Sequence, residues 1–265
     1  MWEIPQLPEF PTFPNLPEAE EPDIFIDGGP ANDRTLTLTS SKKFNTIEIK
    51  SDRKLTIDVG DTDKDIIVDE LIIEQGHIIL EGTAKLNIYV NDELRFGRQN
   101  GKGSSRLNEN GDPNRLNIFV KGSNHPGTSK KISVQGNQWV YGSIFAEDAD
   151  IDLLNSGRIY GNIFTYGKQI NISGSGKNIS QLILAPNADV SIAGSGSIYG
   201  MVISKTYSHP GNGTITFGQP LSIDGPISVE TLSGSNGSSH GGSELIRTDG
   251  KPRIETISSI KEIDE

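Results

Sequence analysis

Short alternations of apolar and polar residues run along most of the chain. Segments such as TLTLT (Thr35–Thr39), LTIDV (Leu55–Val59), LNIYV (Leu86–Val90) and LNIFV (Leu116–Val120) place an apolar residue at nearly every second position. This period of two is the pattern of a half-buried β-strand. No segment keeps the helical period of about 3.6 residues. The pattern therefore predicts an all-β fold.

A longer repeat is superimposed on the alternation between Lys131 and Lys205, with steps of 19, 20 and 19 residues. Apolar residues then align in four columns: Ile132, Ile151, Ile170 and Val190; Val134, Leu153, Ile172 and Ile192; Val140, Ile159, Ile179 and Ile198; and Ile144, Ile163, Ile183 and Val202. The period is too short for a propeller blade and fits one coil of a β-solenoid, whose equivalent strands pair in parallel about 4.8 Å apart. The sequence predicts a right-handed parallel β-solenoid (β-helix) with coils of 19–20 residues. Corners are expected at Asn155–Gly157, Gly174–Gly176 and Gly194–Gly196.

The repeat is interrupted upstream, where LNIYV and LNIFV align at a spacing of 30 residues. The polar segment Gly97–Asn114 is expected to project between them. A recognition loop on a rigid scaffold and a disordered insertion both fit its composition.

Proline occurs at every third position from Pro5 to Pro17, which matches the three residues per turn of polyproline II. The residues before these prolines are apolar and include Leu7, Phe10, Phe13 and Leu16. This amphipathic arm either packs on the domain, serves as a solvated spacer or binds an aromatic groove of another protein.

An apolar ladder offers the arm a partner. Phe145, Phe164, Leu184 and Ile203 each follow a residue of the inward column that begins at Ile144, so alternation places them on the outer surface. An exposed apolar ladder marks an interface. Three residues of polyproline II advance about 9.3 Å and two coils about 9.6 Å. We therefore predict that the arm packs along a solenoid face; alternatively, a corner near Gly142 shifts the ladder into the core.

The domain organisation follows from these patterns. Residues 1–30 form the proline-rich arm, residues 31–230 the β-solenoid, and residues 231–265 a Gly/Ser linker with a C-terminal tail.

The composition excludes several classes of chemistry and of binding partner. The 265 residues include no cysteine, which excludes disulfides, thiol catalysis and Cys-ligated metals. The net charge of −11 argues against nucleic acid or an anionic membrane as a partner. Aromatic residues make up only 6%, as expected for a narrow core of aliphatic side chains.

One acidic cluster is a candidate metal site. Asp58, Asp61, Asp63 and Asp65 supply alternating carboxylates, the ligand type that calcium prefers. The cluster lacks the glycine and the closing glutamate of the twelve-residue calcium loop, so a solvated turn is the alternative. Asn108, Asn110 and Asp112 form a weaker candidate, and no other cofactor is expected.

A catalytic site is not expected. The carboxylates Glu147, Asp148, Asp150 and Asp152 would suit a glycoside hydrolase, which needs paired acids. Asp150 and Asp152, however, align with generic polar outward positions of the repeat. The four histidines, His77, His125, His209 and His240, are dispersed.

The run Gly142–Ser204, with its G-x-I/V-[FVI]-[AST] motif and Gly-Ser-Gly turns, resembles bacterial surface β-solenoid domains that follow a prepilin-like or PilX-like N-terminal helix in Gram-positive bacteria. The resemblance implies an extracellular, cell-surface or pilus-associated protein with a structural or adhesive role, anchored through an N-terminal helix that this sequence lacks. Its partners would be other surface or pilus proteins or a surface glycan. A carbohydrate-active enzyme and a self-assembling filament subunit are the alternatives.

Overall fold

The computed structural model describes residues 9–123, 129–178 and 182–216. The chain divides into two units, residues 1–219 and residues 220–265, and the second lies wholly outside the described residues. Within the described part, the helical segments are two short 3-10 helices, Pro30–Asn32 and Pro113–Arg115. No helix there is long and apolar enough to cross a membrane.

The rest of the described structure is built from short strands. In chain order they are β1 (Asp23–Ile26), β2 (Arg34–Thr37), β3 (Lys42–Ile49), β4 (Arg53–Asp58), β5 (Lys64–Ile73), β6 (Gly76–Glu81), β7 (Leu86–Phe96), β8 (Ser105–Leu107), β9 (Leu116–Val120), β10 (Lys131–Gln135), β11 (Trp139–Tyr141), β12 (Ser143–Ala146), β13 (Asp150–Leu154), β14 (Arg158–Tyr160), β15 (Ile163–Thr165), β16 (Gln169–Ile172), β17 (Lys177–Asn178), β18 (Leu182–Ile192), β19 (Ser197–Tyr199), β20 (Met201–Ser208) and β21 (Thr214–Thr216).

The strands pair in parallel and form a β-solenoid of about eight turns, which confirms the predicted fold class. A twelve-stranded sheet covers two sides of the coil, and a nine-stranded sheet, β2-β4-β6-β8-β11-β14-β17-β19-β21, covers the third. Long strands such as β5 and β18 span the first two sides, and their register shifts midway, between Val68 and Glu70 and between Ala185 and Asp189. These shifts mark the corner between the two sides.

The register confirms three of the four predicted columns and corrects one. Ile132, Ile151, Ile170 and Val190 pair in sequence, as do the columns that begin at Val134 and Ile144. In the remaining column, Asn178 pairs with both Ile159 and Ile198. The predicted member, Ile179, lies outside the described residues.

Coil length also differs from the prediction in the N-terminal half. Equivalent residues lie 19 apart at Asp152 and Asn171, but 22 apart at Asp65 and Asn87. The early coils are longer partly because the strands of the third side are longer there, with six residues each in β4 and β6 and three each in β11 and β14. The repeat was therefore visible only from Lys131 onward.

One predicted corner depends on left-handed backbone. Asn155, Gly174 and Gly194 occupy equivalent turns with φ of 58°, 68° and 63°. Glycine adopts this region without penalty, and asparagine is the side chain that tolerates it best. The chain can therefore turn at the same height in successive coils.

The core is a narrow aliphatic column inside the coil. Ile118, Ile144, Ile163 and Ile183 stack in register and are fully buried. Burying one such side chain stabilises the fold by about 1.5–3 kcal/mol.

The segment Gly97–Asn114 was predicted to project, and the structure shows instead that it belongs to the coil. It contains β8, which pairs with β6 on one side and β11 on the other. Ser105 and Leu107 are fully buried. The prediction was wrong because a three-residue strand between polar turns leaves almost no periodic signal.

The twelve-stranded sheet begins inside the segment predicted as the arm, since β1 pairs with β3. The described part of the arm is residues 9–22. At the other end, residues 217–230 of the predicted solenoid and the predicted linker and tail, residues 231–265, lie outside the described residues.

Candidate binding surfaces

The outer face of the nine-stranded sheet carries a column of cationic and aromatic side chains. Residues that follow its members, such as Leu107, Val140 and Ile159, are buried in the core, so alternation turns the column outward. The register places one member in each of six successive strands: Lys54, His77, Arg106, Trp139, Arg158 and Lys177. We call these six residues the cationic–aromatic column.

Trp139 lies between two arginines. Its ring centroid is 3.9 Å from Cζ of Arg106 and 4.7 Å from Cζ of Arg158. Each contact is close enough for cation–π attraction, worth about 0.5–2 kcal/mol. Nη1 of Arg106, Nε1 of Trp139 and Nε of Arg158 are buried without a hydrogen-bond partner in the described structure. Unpaired donors are destabilising, and oxygen acceptors supplied by a ligand would relieve that penalty.

Carboxylates lie beside His77 and Arg106 in the N-terminal half of the column. Glu109 accepts a hydrogen bond from Nε of Arg106 at 3.0 Å and lies 3.3 Å from Nδ1 of His77. At the other end, Arg158 and Lys177 pair in register. Neither has an ion pair within residues 9–123, 129–178 and 182–216. Two uncompensated positive charges therefore lie side by side.

Two tyrosines stack beside the column. The rings of Tyr141 and Tyr160 have centroids 4.1 Å apart and planes 9° from parallel. Nη1 of Arg158 donates to the hydroxyl of Tyr160 at 3.1 Å, which links the pair to the column. Burial, reinforced by the neighbouring Tyr160 hydroxyl, raises the pKa of Tyr141 to about 12. Its hydroxyl is therefore a neutral donor and acceptor at physiological pH.

This face was missed at the level of sequence, although a signal was present. Trp139 and Arg158 are one 19-residue repeat apart, and so are Tyr141 and Tyr160. Extending the repeat from apolar to outward columns would have placed the four side chains together. Arg106 could not have been added, because its strand lies in the segment predicted to project.

A second surface is the predicted apolar ladder on the first side of the coil. Tyr89, Phe119, Phe145 and Phe164 stack in succession at centroid distances of 4.6–4.8 Å. The register extends this ladder to Leu184 and Ile203. Sequence analysis missed its members Tyr89 and Phe119, which stand at the fourth position of LNIYV and LNIFV.

The ladder is outward but not exposed. Phe145, Phe164 and Leu184 are at most 6% exposed, although it is their neighbours in the Ile144 column that fill the central core. Ile203 is half-buried. Both earlier expectations are corrected: the ladder is neither a bare surface nor part of the central core.

The arm packs against the N-terminal end of the ladder. The ring of Phe13 meets that of Tyr89 edge-on with centroids 5.0 Å apart, and Phe10 packs on Phe13 at 5.8 Å. Leu16 is half-buried. Leu7 lies outside the described residues.

Further along the chain, backbone hydrogen bonds attach the arm to the solenoid. The carbonyl of Pro17 accepts from the amide of Lys43, and the amide of Ala19 donates to the carbonyl of Lys43, both at 2.8 Å. The arm therefore forms a parallel bridge to β3 through Glu18 and Lys43.

The carboxylates of the candidate calcium site serve other partners. Asp58 accepts from the amide of Gly60 at 3.0 Å, and Asp63 and Asp65 accept from the following coil at 2.8 and 2.9 Å. Asp61 is exposed. The described residues contain no group of three or more His, Cys, Asp or Glu side chains suited to a metal. The calcium site stays a prediction.

The weaker candidate, Asn108, Asn110 and Asp112, also builds a turn. Nδ2 of Asn108 donates to the carbonyl of Asp112 at 3.2 Å, and Asn108 is buried. Asn108 and Asn110 have φ of 55° and 59°. These residues shape the chain between β8 and β9.

The carboxylates weighed for catalysis are engaged as well. Glu147, Asp148 and Asp150 accept backbone N–H groups at 2.7–3.1 Å. Asp152 lies 2.5 Å from Nζ of Lys131. The four side chains hold turns and neighbouring strands together.

The histidines do not converge in the described structure. His77 belongs to the cationic–aromatic column, whereas a ring nitrogen of His209 bonds to the carbonyl of Gly213 in the last turn. His125 and His240 lie outside the described residues.

A cleft of about 540 Å³ opens on the second side, where β7 and β10 are neighbours without being hydrogen-bonded. Its carboxylates are Asp92 and Glu93, and Glu93 accepts from Nε of Arg95 at 3.0 Å. Lys130 spans the cleft and donates to the carbonyl of Asn91 at 2.6 Å.

Two family models match the chain. Residues 164–217 match a family described as "Putative Ice-binding-like adhesive domain". Neither description mentions a pilus or Gram-positive bacteria, so those parts of the predicted resemblance stay predictions. No curated protein and no solved structure gave a significant match. Residues 26–167, more than half of the chain, match the domain of unknown function DUF7305, and the chain therefore belongs to the DUF7305 family.

Proposed function

We propose that the protein is a non-enzymatic adhesive module of the cell surface, whose cationic–aromatic column binds a surface glycan. The observation that carries the proposal is Trp139 stacked between Arg106 and Arg158 on an outward sheet face. Trp, Tyr and Arg are the residues that dominate binding energy at interfaces. The two guanidinium groups cover the faces of the Trp139 ring, so a glycan would lie along the outward edge of this stack, where its hydroxyls supply hydrogen-bond acceptors to the arginines.

The solenoid suits this role because its strands are fixed on both sides by neighbouring coils. A preorganised face loses little conformational entropy on binding. The match of residues 164–217 to an adhesive domain supports the same role, since these coils continue the sheet that carries the column. Attachment to a cell surface or to a pilus is part of the proposal.

The proposal is tested by cosedimentation of the full chain with particles of cellulose, chitin and calcium pectate. We expect retention on at least one of them, and a loss of about tenfold or more in affinity for Trp139→Ala, the typical effect of removing a central aromatic anchor. Reducing ends are assayed in the same tubes, and a non-enzymatic module leaves their number unchanged.

The matched control is Phe25→Ala, which removes an aromatic ring that is 64% exposed on the other sheet. This variant should bind like the wild type. The proposed function would be contradicted if the wild type bound none of the three polysaccharides, or if reducing ends were released.

A further inference from the structure

We infer that the glycan is an acidic polysaccharide, whose carboxylates lie over Arg158 and Lys177 while its sugar rings lie along the outward edges of the Trp139 stack and of the tyrosine pair. This inference rests on the proposed function and names the ligand class of the same face. It is carried by three features of the described residues: paired free cations, unpaired donors and adjacent rings.

The paired cations are the first step. Arg158 and Lys177 are in register on neighbouring parallel strands, about 4.8 Å apart at the backbone. Like charges placed opposite one another destabilise a sheet. Earlier in the column Arg106 has Glu109 at 3.0 Å, whereas the described structure offers no carboxylate to Arg158 or Lys177. An anionic ligand would supply the missing charge.

The donors are the second step. Nη1 of Arg106, Nε1 of Trp139 and Nε of Arg158 lie in one stack without acceptors. A carboxylate accepts several hydrogen bonds at once and forms its strongest ones with guanidinium groups. A polysaccharide adds hydroxyl and ring oxygens along the same line.

The arrangement of the aromatic rings is the third step, and it favours a polymer over a small anion as the ligand. Trp139, Arg158 and Lys177 occupy three successive coils, a span of about 9.6 Å. This length is comparable to that of a disaccharide. Tyr141 and Tyr160 continue the aromatic surface beside it. A linear chain of sugar rings that carry carboxylates therefore fits a face on which Trp139 and the two tyrosines adjoin the cations Arg158 and Lys177.

The net charge of −11 means that a polyanion is attracted only close to the column and not by the molecule as a whole. The whole molecule repels polyanions at long range, so binding requires close contacts at the column. Single-stranded nucleic acid also combines anions with stacking rings, and it serves as the competing ligand in the test.

The experiment measures binding of the full chain to oligogalacturonate and to its methyl ester by calorimetry. The two ligands share the sugar backbone and differ in charge. We expect the acid to bind at least about tenfold more tightly than the ester, with an affinity that falls as salt rises. Arg158→Gln and Lys177→Gln should each weaken binding of the acid by about tenfold and leave binding of the ester unchanged.

The control is Lys205→Gln, which removes an exposed cation from the twelve-stranded sheet near the same end of the solenoid. It should bind the acid like the wild type, and Lys177→Gln provides a second variant if Arg158→Gln unfolds. Equal binding of acid and ester would overturn the inference but leave glycan adhesion intact. Binding of neither would overturn the inference, and cosedimentation with cellulose and chitin would then decide the proposed function by itself. Tighter binding of single-stranded DNA than of the acid would replace the inference with a nucleic-acid ligand.

Discussion

Single polar side chains hold neighbouring coils in register at the residue scale. Nδ2 of Asn87 donates to Asp65, and Nδ2 of Asn117 donates to Oδ1 of Asn87, both at 2.9 Å. The amide of Asn87 therefore acts as donor toward one coil and as acceptor toward the other, because an amide side chain carries both an N–H donor and a carbonyl acceptor. The same logic applies to the binding face, where a hydroxyl rather than an apolar ring lets Tyr160 bond to Arg158.

The titration of Tyr141 tests this residue-scale environment. Its pKa is raised to about 12, above the ordinary value of about 10. Because the folded state holds the proton more tightly, the stability it contributes is present below pH 10 and is lost as pH rises from about 10 to about 12. An ultraviolet pH titration of the wild type, with Tyr141→Phe as reference, should show one tyrosine ionising late.

Tyr160→Phe provides the control, because it keeps the stacked ring and removes the neighbouring hydroxyl. The pKa of Tyr141 should then fall but stay above its ordinary value, since burial is the larger cause. An unchanged pKa of Tyr141 in this variant would mean that the Tyr160 hydroxyl does not contribute to the shift.

At the scale of strands, segments with little strand pattern of their own are held in place by their neighbours. β8 has three residues, yet it pairs on both edges and contributes buried Ser105 and Leu107. The arm has no strand pattern at all, yet one bridge to β3 and the contact of Phe13 with Tyr89 hold it against the solenoid.

A double-mutant cycle measures how firmly the arm is held. Phe13→Ala and Tyr89→Ala each remove one side of the edge-on contact, and the ring pair should contribute a coupling energy of about 0.5–1.5 kcal/mol. Thermal or denaturant unfolding of the two single variants and the double variant gives this value.

Phe25→Ala is the reference for loss of an exposed ring, and it should change stability by less than about 0.5 kcal/mol. Additive effects of Phe13→Ala and Tyr89→Ala would show that the arm contact does not stabilise the fold in solution.

The whole molecule is a one-dimensional stack, and burial depends on a residue's position along it. Ile198 and Ile215 are in register in the nine-stranded sheet, but Ile198 is fully buried whereas Ile215, in the last described strand, is 41% exposed. Each coil covers the one before it. An isoleucine therefore contributes more to the free energy of unfolding in the middle of the stack than in its last described coil.

The matched pair Ile198→Ala and Ile215→Ala tests this dependence. The first should lower the free energy of unfolding by about 2–5 kcal/mol, because it leaves a cavity in a packed core. The second should cost less than about 1 kcal/mol, because its site is open to solvent. Urea denaturation measures both, and equal losses would show that the last described coil is as tightly covered as the interior.

Much of the C-terminal half could be predicted from the sequence, because local alternation and a near-constant coil length act on the same residues. The columns that begin at Ile132, Val134 and Ile144 were correct to the residue. The column through Ile159 was wrong at one position, because the register places Asn178, one residue before the apolar Ile179, beside Ile159 and Ile198.

The sequence by itself determined the all-β class, the parallel stacking and the corners at Asn155, Gly174 and Gly194, since these depend on side-chain periodicity and on backbone freedom at single positions. Only the tertiary structure decided that β8 belongs to the coil, that the apolar ladder is buried outside the central core, and that Arg106, Trp139 and Arg158 form one stack. Those facts depend on which strands become neighbours. Strand pairing between coils of 30 and 19 residues is set by the closure of the whole coil, which no local pattern specifies.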